Sequence, residues 1–483
     1  MTARSSRTLA LGFLAALALI AAGCGGGPAA SSESGATFVR ADALAYVSLD
    51  TDLGSSQWQQ VNALSKKFPG RDVALSKIEG ALAKQGLDFQ RDVKPALGPE
   101  VDLAVAAGAT PKDVSYAWLT QPADPAVFKS TVAKLGDKGS SGEPTAYREV
   151  GDGWYALSGS QKEIDQVLAG DGKTLADDST FNDALGKLPD DALVKAYANG
   201  HEVGRLLEHV VQQSGADYAG AAAGLDKLDW LTAALTAEDD GVRVKGVVQG
   251  AGSETLLGSG DYISTALGEA PADALAFLSF QGGKGLASAL GNAGAPLTMV
   301  LGMPLDELLG LFENETALYV RPGIGIPEIT LVLDPSDTSA GLATLDKLAA
   351  RIAVLTGGQV GGAAGERSIT IDGVTIHWGS ANGKIVVTNA ANGVSSYDAS
   401  GEKLSDSADF KEARDAAGMP DSNGGMAYID LKDAIPMILG LAGLSGSQPP
   451  PVLTENLRPL RSFLAWNEGS GDTRTFNLFL EIK

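Results

Sequence analysis

Three histidines are the side chains in this sequence best suited to acid–base or metal chemistry, and none completes a catalytic motif. His201 and Glu202 begin like the zinc-binding pattern His-Glu-x-x-His, but Arg205 stands where the second histidine must be, and a cation there repels zinc. His209 lies off the apolar stripe of its predicted helix, and His377 lies in a predicted strand, so both are expected to be structural. No catalytic residue, metal ligand or cofactor is predicted.

Sequence patterns for phosphate and dinucleotide binding are also incomplete. Gly172-Lys173-Thr174 ends like a phosphate-binding loop, but Val167 occupies the place of its first glycine. Gly357–Gly362 is not followed by a ribose-binding acid in register, so we predict a flexible loop there. The acidic residues are scattered, whereas a cation site needs clustered carboxylates. We expect no enzyme, although an uncharacterised envelope hydrolase with convergent carboxylates or histidines in a cleft stays open as an alternative.

The single cysteine, Cys24, ends a segment typical of export. Arg4 and Arg7 precede an apolar run, residues 9–22, which is shorter than the roughly 20 residues of a membrane span. Ala21-Ala22-Gly23-Cys24 resembles the lipobox that lipoprotein signal peptidase cleaves, except that Ala21 stands where Leu, Ile or Val is preferred. This resemblance implies a diacylglyceryl group on the Cys24 thiol. The alternative is an ordinary signal peptide in which Cys24 is incidental.

These features predict where the protein acts. Residues 1–23 would be a lipoprotein signal peptide and residues 24–36 a flexible Gly- and Ser-rich tether. The body would lie on the extracytoplasmic face of the cell membrane, held by the lipid on Cys24. With no other cysteine it would contain no disulfide. The formal net charge of −22 repels phosphate backbones, so nucleic acid is not expected as a partner.

An internal repeat organises the rest of the chain. Four segments of the first part recur later in the same order: 41–49 recurs at 272–280, 97–105 at 312–320, 181–184 at 410–413, and 241–248 at 472–480. We therefore predict two tandem copies of one domain, residues 37–250 and 268–483, joined by a linker at 251–267.

The periodicity within each copy predicts an α+β fold, a largely antiparallel sheet with packed helices. Asp124 is expected to cap a helix, and Gly151-Asp152-Gly153 is expected to turn a hairpin. The opening strands, at 43–49 and 274–280, are too apolar to be sheet edges exposed to water, so each is predicted to be interior to its sheet.

The Ala-Asp-Ala-Leu-Ala-Tyr segment from Ala41 and the Leu-Gly-Pro-Glu-Val turn from Leu97 carry a resemblance to a known family. The chain resembles secreted proteins of high-GC Gram-positive bacteria and cyanobacteria, a family known only as a domain of unknown function. The resemblance implies export and a location in the cell envelope. It brings no catalytic residues.

The second copy contains two apolar segments whose counterparts in the first are charged. One holds Met299, Leu301 and Met303, and the other holds Ile435, Met437 and Ile438. Methionine suits adaptable apolar contacts, so these residues are expected to be covered, either as an interdomain core or by a hydrophobic ligand or partner. The predicted function is a non-catalytic binding or structural module of the envelope. The alternative is a carrier of a hydrophobic or lipid-like ligand.

Overall fold

A computed structural model describes residues 34–108, 113–136, 146–206, 227–250, 260–282, 298, 302–323, 325–363, 365–397, 400–444 and 449–483. We call residues 34–250 the first half and residues 260–483 the second half. The described chain combines helices with a large antiparallel sheet, which confirms the α+β class. Cys24, His209, Met299 and Leu301 lie outside the described residues, as does the signal segment.

Eighteen of the described strands form one antiparallel sheet, and β9 and β17 pair separately. The strands are β1 Ala45–Asp50, β2 Glu100–Ala106, β3 Ser115–Thr120, β4 Ala146–Gly151, β5 Trp154–Ser158, β6 Val194–Asn199, β7 Leu228–Glu238, β8 Gly241–Gly250, β9 Tyr262–Ile263, β10 Ala276–Gln281, β11 Glu315–Arg321, β12 Glu328–Leu333, β13 Gln359–Ala363, β14 Glu366–Ile371, β15 Val374–Ala381, β16 Lys384–Thr388, β17 Ser422–Asn423, β18 Gly425–Asp430, β19 Leu460–Ser470 and β20 Thr473–Ile482.

Helices pack against this sheet. They are α1 Ser56–Ser65, α2 Arg71–Lys84, α3 Pro125–Gly136, α4 Gln161–Val167, α5 Ser179–Leu185, α6 Leu305–Leu309, α7 Thr338–Thr356, α8 Ala408–Ala417, α9 Leu431–Leu444 and α10 Pro451–Leu457. Residues 200–206 are also helical. None of the helices in the described ranges combines the length and apolar character that a membrane crossing requires.

The strand order runs β4-β5-β3-β2-β1-β6-β7-β8 through the first half and continues β20-β19-β18-β10-β11-β12-β16-β15-β14-β13 through the second. β1 lies between β2 and β6, and β10 lies between β11 and β18, which confirms that both opening strands are interior. The two halves meet where β8 pairs with β20, and only the second half adds the β13–β14 hairpin within the described sheet.

The same registers recur in the two halves. Corresponding triplets across three strands are Tyr46 with Ala104 and Tyr197, and Phe277 with Tyr319 and Tyr428. At the junction Lys245 pairs with Asn477, flanked by Val244 with Leu478 on one side and Gly246 with Phe476 on the other. By register, Val244 corresponds to Phe476 and Gly246 to Leu478. The pair on one side of Lys245 and Asn477 is therefore the counterpart of the pair on the other side, with the two strands interchanged.

Each half buries one aromatic residue from a short helix against its central strands. Phe181 of α5 makes an edge-on contact with Tyr197, with ring centroids 5.1 Å apart, and Phe410 of α8 contacts Tyr428 in the same way at 5.2 Å. The backbone amide of each phenylalanine donates to the N-cap side chain of its helix, Asp178 or Ser407. The caps fix the helix starts and thereby aim both rings into the core.

The packed body begins earlier in each half than the sequence predicted. Ser34 contacts the Tyr46 hydroxyl at 3.0 Å, and the Gly35 amide donates to a buried carboxylate oxygen of Asp102 at 3.1 Å. In the second half Ser264 and Thr265 bind the carboxylate of Glu315. Residues 34–36 therefore belong to the body rather than to the tether of 24–36, and the end of the predicted 251–267 linker belongs to the second half.

The Gly-rich segment after α7 corrects another expectation. Gln359–Ala363 forms β13, although every residue in it is exposed, so the predicted flexible loop is wrong. Ladder hydrogen bonds to β14 hold this strand without side-chain burial. Local turn and cap predictions are confirmed, since the Asp124 carboxylate accepts from the amides of Ala126 and Val127, and Asp152 turns the β4–β5 hairpin at φ 50°.

Candidate functional site

Two polar cavities open at corresponding places in the two halves. The first-half cavity has a volume of about 660 Å³ and is lined by Asp178, Thr180, Asp183, Lys187, Tyr197, Asn199, His201, Asp229, Trp230 and Gln249. The second-half cavity has a volume of about 250 Å³ and is lined by Asp409, Glu412, Tyr428, Asp430, Lys432, Arg461, Ser462, Glu481 and Lys483.

The same elements build both cavities. In the first half they are α5, the end of β6, the start of β7 and the end of β8, and in the second they are α8, β18, β19 and β20. Register identifies corresponding residues, because Asn199 stands opposite Trp230 just as Asp430 stands opposite Ser462. The tyrosines Tyr197 and Tyr428 occupy the same place in the two cavities, so the cavities differ in chemistry and not in position.

The second-half cavity gathers carboxylates. Oxygens of Asp409, Asp430 and Asp433 all lie within 4.8 Å of one another. Asp430 is 8% exposed and accepts a hydrogen bond from the backbone amide of Asp433 at 3.2 Å, which places it at the start of α9. Lys432 Nζ lies 3.1 and 3.3 Å from the two Asp409 oxygens. This geometry offers three oxygen ligands to one cation.

Electrostatics in this cavity favour a bound positive charge. Burial raises the pKa of Asp430, and the neighbouring carboxylates of Asp433 and Asp409 raise it further. Burial also raises the pKa of Tyr428, and the carboxylate of Asp430 adds to that increase. The hydrogen bond to Asp409 raises the pKa of Lys432. A cation among the aspartates would relieve their mutual repulsion.

The first-half cavity lacks this arrangement. Thr180, Asn199 and Glu202 stand at the places of the three aspartates, and Arg205 binds Glu202 at 2.7 Å. The imidazole of His201 is 72% exposed and lies 3.7 Å from Asp229. The His201-Glu202 pair therefore has its expected surface location at a helix start, although the sequence did not indicate that His201 borders a cavity.

The residues proposed for an apolar surface differ in how far they are exposed. Met303 is buried, whereas Ile435 and Met437 of α9 are half-buried and Ile438 is 57% exposed. α9 packs on β18 and β19 of its own half. The described residues therefore leave most of the Ile438 side chain uncovered. Val452 and Leu453 of α10 are exposed as well.

Sequence reasoning missed the aspartate cluster. The expectation that the carboxylates are scattered is wrong at this site, because the fold joins residues of α8, β18 and α9. A signal was present in the repeat. Aligning the two predicted copies sets Asp430 against Asn199 and Asp409 against Thr180, so these two acids appear in the second half only, at two distant points of the chain.

The described histidines form no nucleophile–base pair. His377 Nδ1 lies 2.8 Å from Glu366 Oε1, and His377 lies in β15, where the sequence predicted a strand. Neither His201 nor His377 has a hydroxyl within hydrogen-bond distance in the part of the chain that the structure describes.

Comparison with known proteins gives limited information. No curated protein sequence matches the chain. Two solved structures, crystal forms I and III of TP0453, share 12% and 11% identity, cover 49% of this chain and 89% and 91% of that one, and reach a TM-score of 0.23. At that score the likeness carries no structural argument. Residues 6–151 match the model of a family described as a protein of unknown function, DUF3352, which supports the expected resemblance to a domain of unknown function.

Proposed function

We propose that this protein is a lipid-anchored lipoprotein of the extracytoplasmic face, with a body of two copies of one domain that acts as a non-catalytic binding module of the envelope. The anchor rests on Cys24 and the export-type segment before it. The family match to residues 6–151 begins within that segment. The membrane would be one partner, held through the lipid, and a small ligand in the body would be the other.

The strand pattern supports two copies. Eight strands of each half follow the same order, and the registers around Tyr46 and Phe277 agree. Lys245 and Asn477 stand where a two-fold axis between the copies would cross the β8–β20 junction. A duplicated domain that extends one continuous sheet accounts for all three features.

The observation that carries a binding role is the polar cavity found in both halves. A packing defect would not be expected at the same place in both halves, each time with a buried tyrosine in its wall. Charged and polar linings favour a small polar ligand over a lipid-like one. The alternative, a carrier of hydrophobic ligands, rests instead on exposed Ile438 of α9 and Val452 of α10.

The anchor is tested with full-length chain expressed in a bacterium that processes lipoproteins. Cys24→Ala should abolish incorporation of labelled palmitate and move the protein from the membrane to the soluble fraction, because the thiol that accepts the lipid is gone. Ser31→Ala, in the same tether, is the matched control and should behave as wild type. Unchanged membrane retention of Cys24→Ala would contradict the proposed anchor.

Binding is tested by the melting temperature of the full chain in millimolar putrescine, glycine, succinate, phosphate or calcium chloride. At least one probe should raise it, since a ligand at 100 times its Kd stabilises by about 2.7 kcal/mol. Thr180→Trp or Asp409→Trp, at the second position of α5 or α8, should remove the shift by filling one cavity. Ser339→Trp, at the second position of α7, is the control. A shift that survives both cavity variants would place binding elsewhere.

A further inference from the structure

We propose that the second-half cavity is a binding site for one hard divalent cation, Ca²⁺ or Mg²⁺, with Asp409, Asp430 and Asp433 as its protein ligands. The inference deepens the proposed function, because it names the class of ligand for one of the two cavities. It applies to the second half alone.

The ligand geometry is already assembled. The three aspartates contribute one oxygen each, all within 4.8 Å of one another, a spacing at which one ion can contact all three. Asp430 is held by the amide of Asp433, and Asp409 stands in the first turn of α8. The cavity volume of about 250 Å³ leaves room for the waters that complete six to eight ligands.

A second observation points to a ligand independently of the acids. Tyr428 is 2% exposed and lines the same cavity as Asp430, Asp409 and Glu481. Its hydroxyl nevertheless makes no hydrogen bond to any described residue. Because this buried side chain faces the cavity, a water or ion bound there would supply the partner that the described residues do not.

The charge of the cavity fits a divalent ion. Glu412 and Glu481 add two carboxylates to the three aspartates, while Lys432, Arg461 and Lys483 supply three cations. The excess is two negative charges. Lys432, whose side chain is 43% exposed, holds Asp409 and can turn to solvent when an ion replaces its ammonium. An exposed ion pair contributes about 0–1 kcal/mol, so its loss opposes ion binding only weakly.

The donor atoms select the metal class. Oxygen ligands without imidazole or thiolate favour Ca²⁺ or Mg²⁺ over zinc or copper. The chain supplies a natural negative control in its first half, where Thr180 and Asn199 replace two of the acids and Arg205 neutralises Glu202. We therefore expect one ion per chain and not two.

The test is isothermal titration of CaCl₂ and of MgCl₂ into the full chain after EDTA treatment and dialysis, in 150 mM KCl. One saturable site per chain is expected for at least one of the two ions. Asp409→Asn and Asp430→Asn should each weaken binding roughly tenfold or more, a change of about 1.4 kcal/mol. Asp337→Asn, which removes one carboxylate at the N-cap of α7 and lies outside both cavities, is the control and should leave affinity unchanged.

Folding is followed in parallel by circular dichroism in EDTA, so that lost binding is not confused with lost structure. Asp409 is exposed, and Asn can replace Asp as the cap at 430, so both variants should fold. No saturable binding of either ion up to 10 mM, or binding indifferent to both folded variants, would overturn the proposal. In that case a melting shift from putrescine, glycine, succinate or phosphate would still support the broader binding function, and palmitate labelling tests the anchor separately.

Discussion

The first turn of each half rests on a buried carboxylate, but the two carboxylates have opposite electrostatics. Asp102 receives one backbone hydrogen bond, from Gly35, and its Oδ1 has no hydrogen-bond partner among the described residues. Burial, reinforced by the charge of Glu100, raises its pKa well above the usual value. Burial also acts to raise the pKa of Glu315, yet hydrogen bonds from Ser264 and Thr265 outweigh it and the pKa falls.

This difference shows that donors, and not depth alone, decide whether a buried acid is charged. The two acids do not stand at corresponding strand positions, because register sets Glu100 against Glu315 and Asp102 against Ala317. The two halves therefore fix the same kind of turn with different residues. The first half uses an acid that favours its neutral form, whereas the second uses an ionised acid with several donors.

The largest expected effect is at Glu315. Glu315→Gln should lower the free energy of unfolding by about 2–3 kcal/mol, because it weakens hydrogen bonds to a charged acceptor from Ser264, Thr265 and Ser279. Asp102→Asn is the matched variant in the first half. It should lower the free energy of unfolding at pH 7 by less than about 1 kcal/mol, or raise it, because only one hydrogen bond to Asp102, from the Gly35 amide, is affected. Urea unfolding followed by circular dichroism measures both. Equal losses would show that the two carboxylates do not differ.

The sequence allowed prediction of the parts of the fold that local patterns determine. The apolar opening strands β1 and β10 are interior, Asp124 caps α3, and Asp152 turns a hairpin, because each rests on alternation, capping or turn chemistry within a few residues. β13 was missed for a physical reason. Its glycines carry no strand pattern, and its partner β14 supplies the hydrogen bonds that hold it.

The candidate site was harder to predict because its residues meet only after folding. Asp430 and Asp433 are separated from Asp409 by a turn, a short strand and β18 itself. Nothing in the local sequence tells three neighbouring acids from a solvated surface. The first turns were missed in the same way, since Ser34 and Thr265 look like tether and linker until Tyr46 and Glu315 approach them. Comparison of the two halves position by position, as the predicted repeat aligns them, was the available signal.

A smaller effect, and the sharpest test of the contrast, is the dependence of stability on pH. The raised pKa of Asp102 means that the folded chain retains a proton at a pH where the unfolded chain, with a carboxyl pKa of about 3.9, has lost it. Its contribution to stability therefore falls as the pH rises from about 4 through its folded pKa. For Glu315 the sign reverses, because a lowered pKa contributes stability above about pH 4.3 that is lost as the pH falls through the folded pKa.

Unfolding free energies of wild type, Asp102→Asn and Glu315→Gln between pH 3 and pH 8 separate the two signs. The stability of Asp102→Asn relative to wild type should increase with rising pH. In wild type, folding must either keep a proton on Asp102 that the unfolded chain has lost or bury the charged carboxylate, whereas Asn does not titrate. The deficit of Glu315→Gln should be smallest at the acid end, where the wild-type carboxylate begins to lose its charge. Parallel pH profiles for all three proteins would mean that neither carboxyl has a shifted pKa in the folded chain, and the contrast between the two halves would then be wrong.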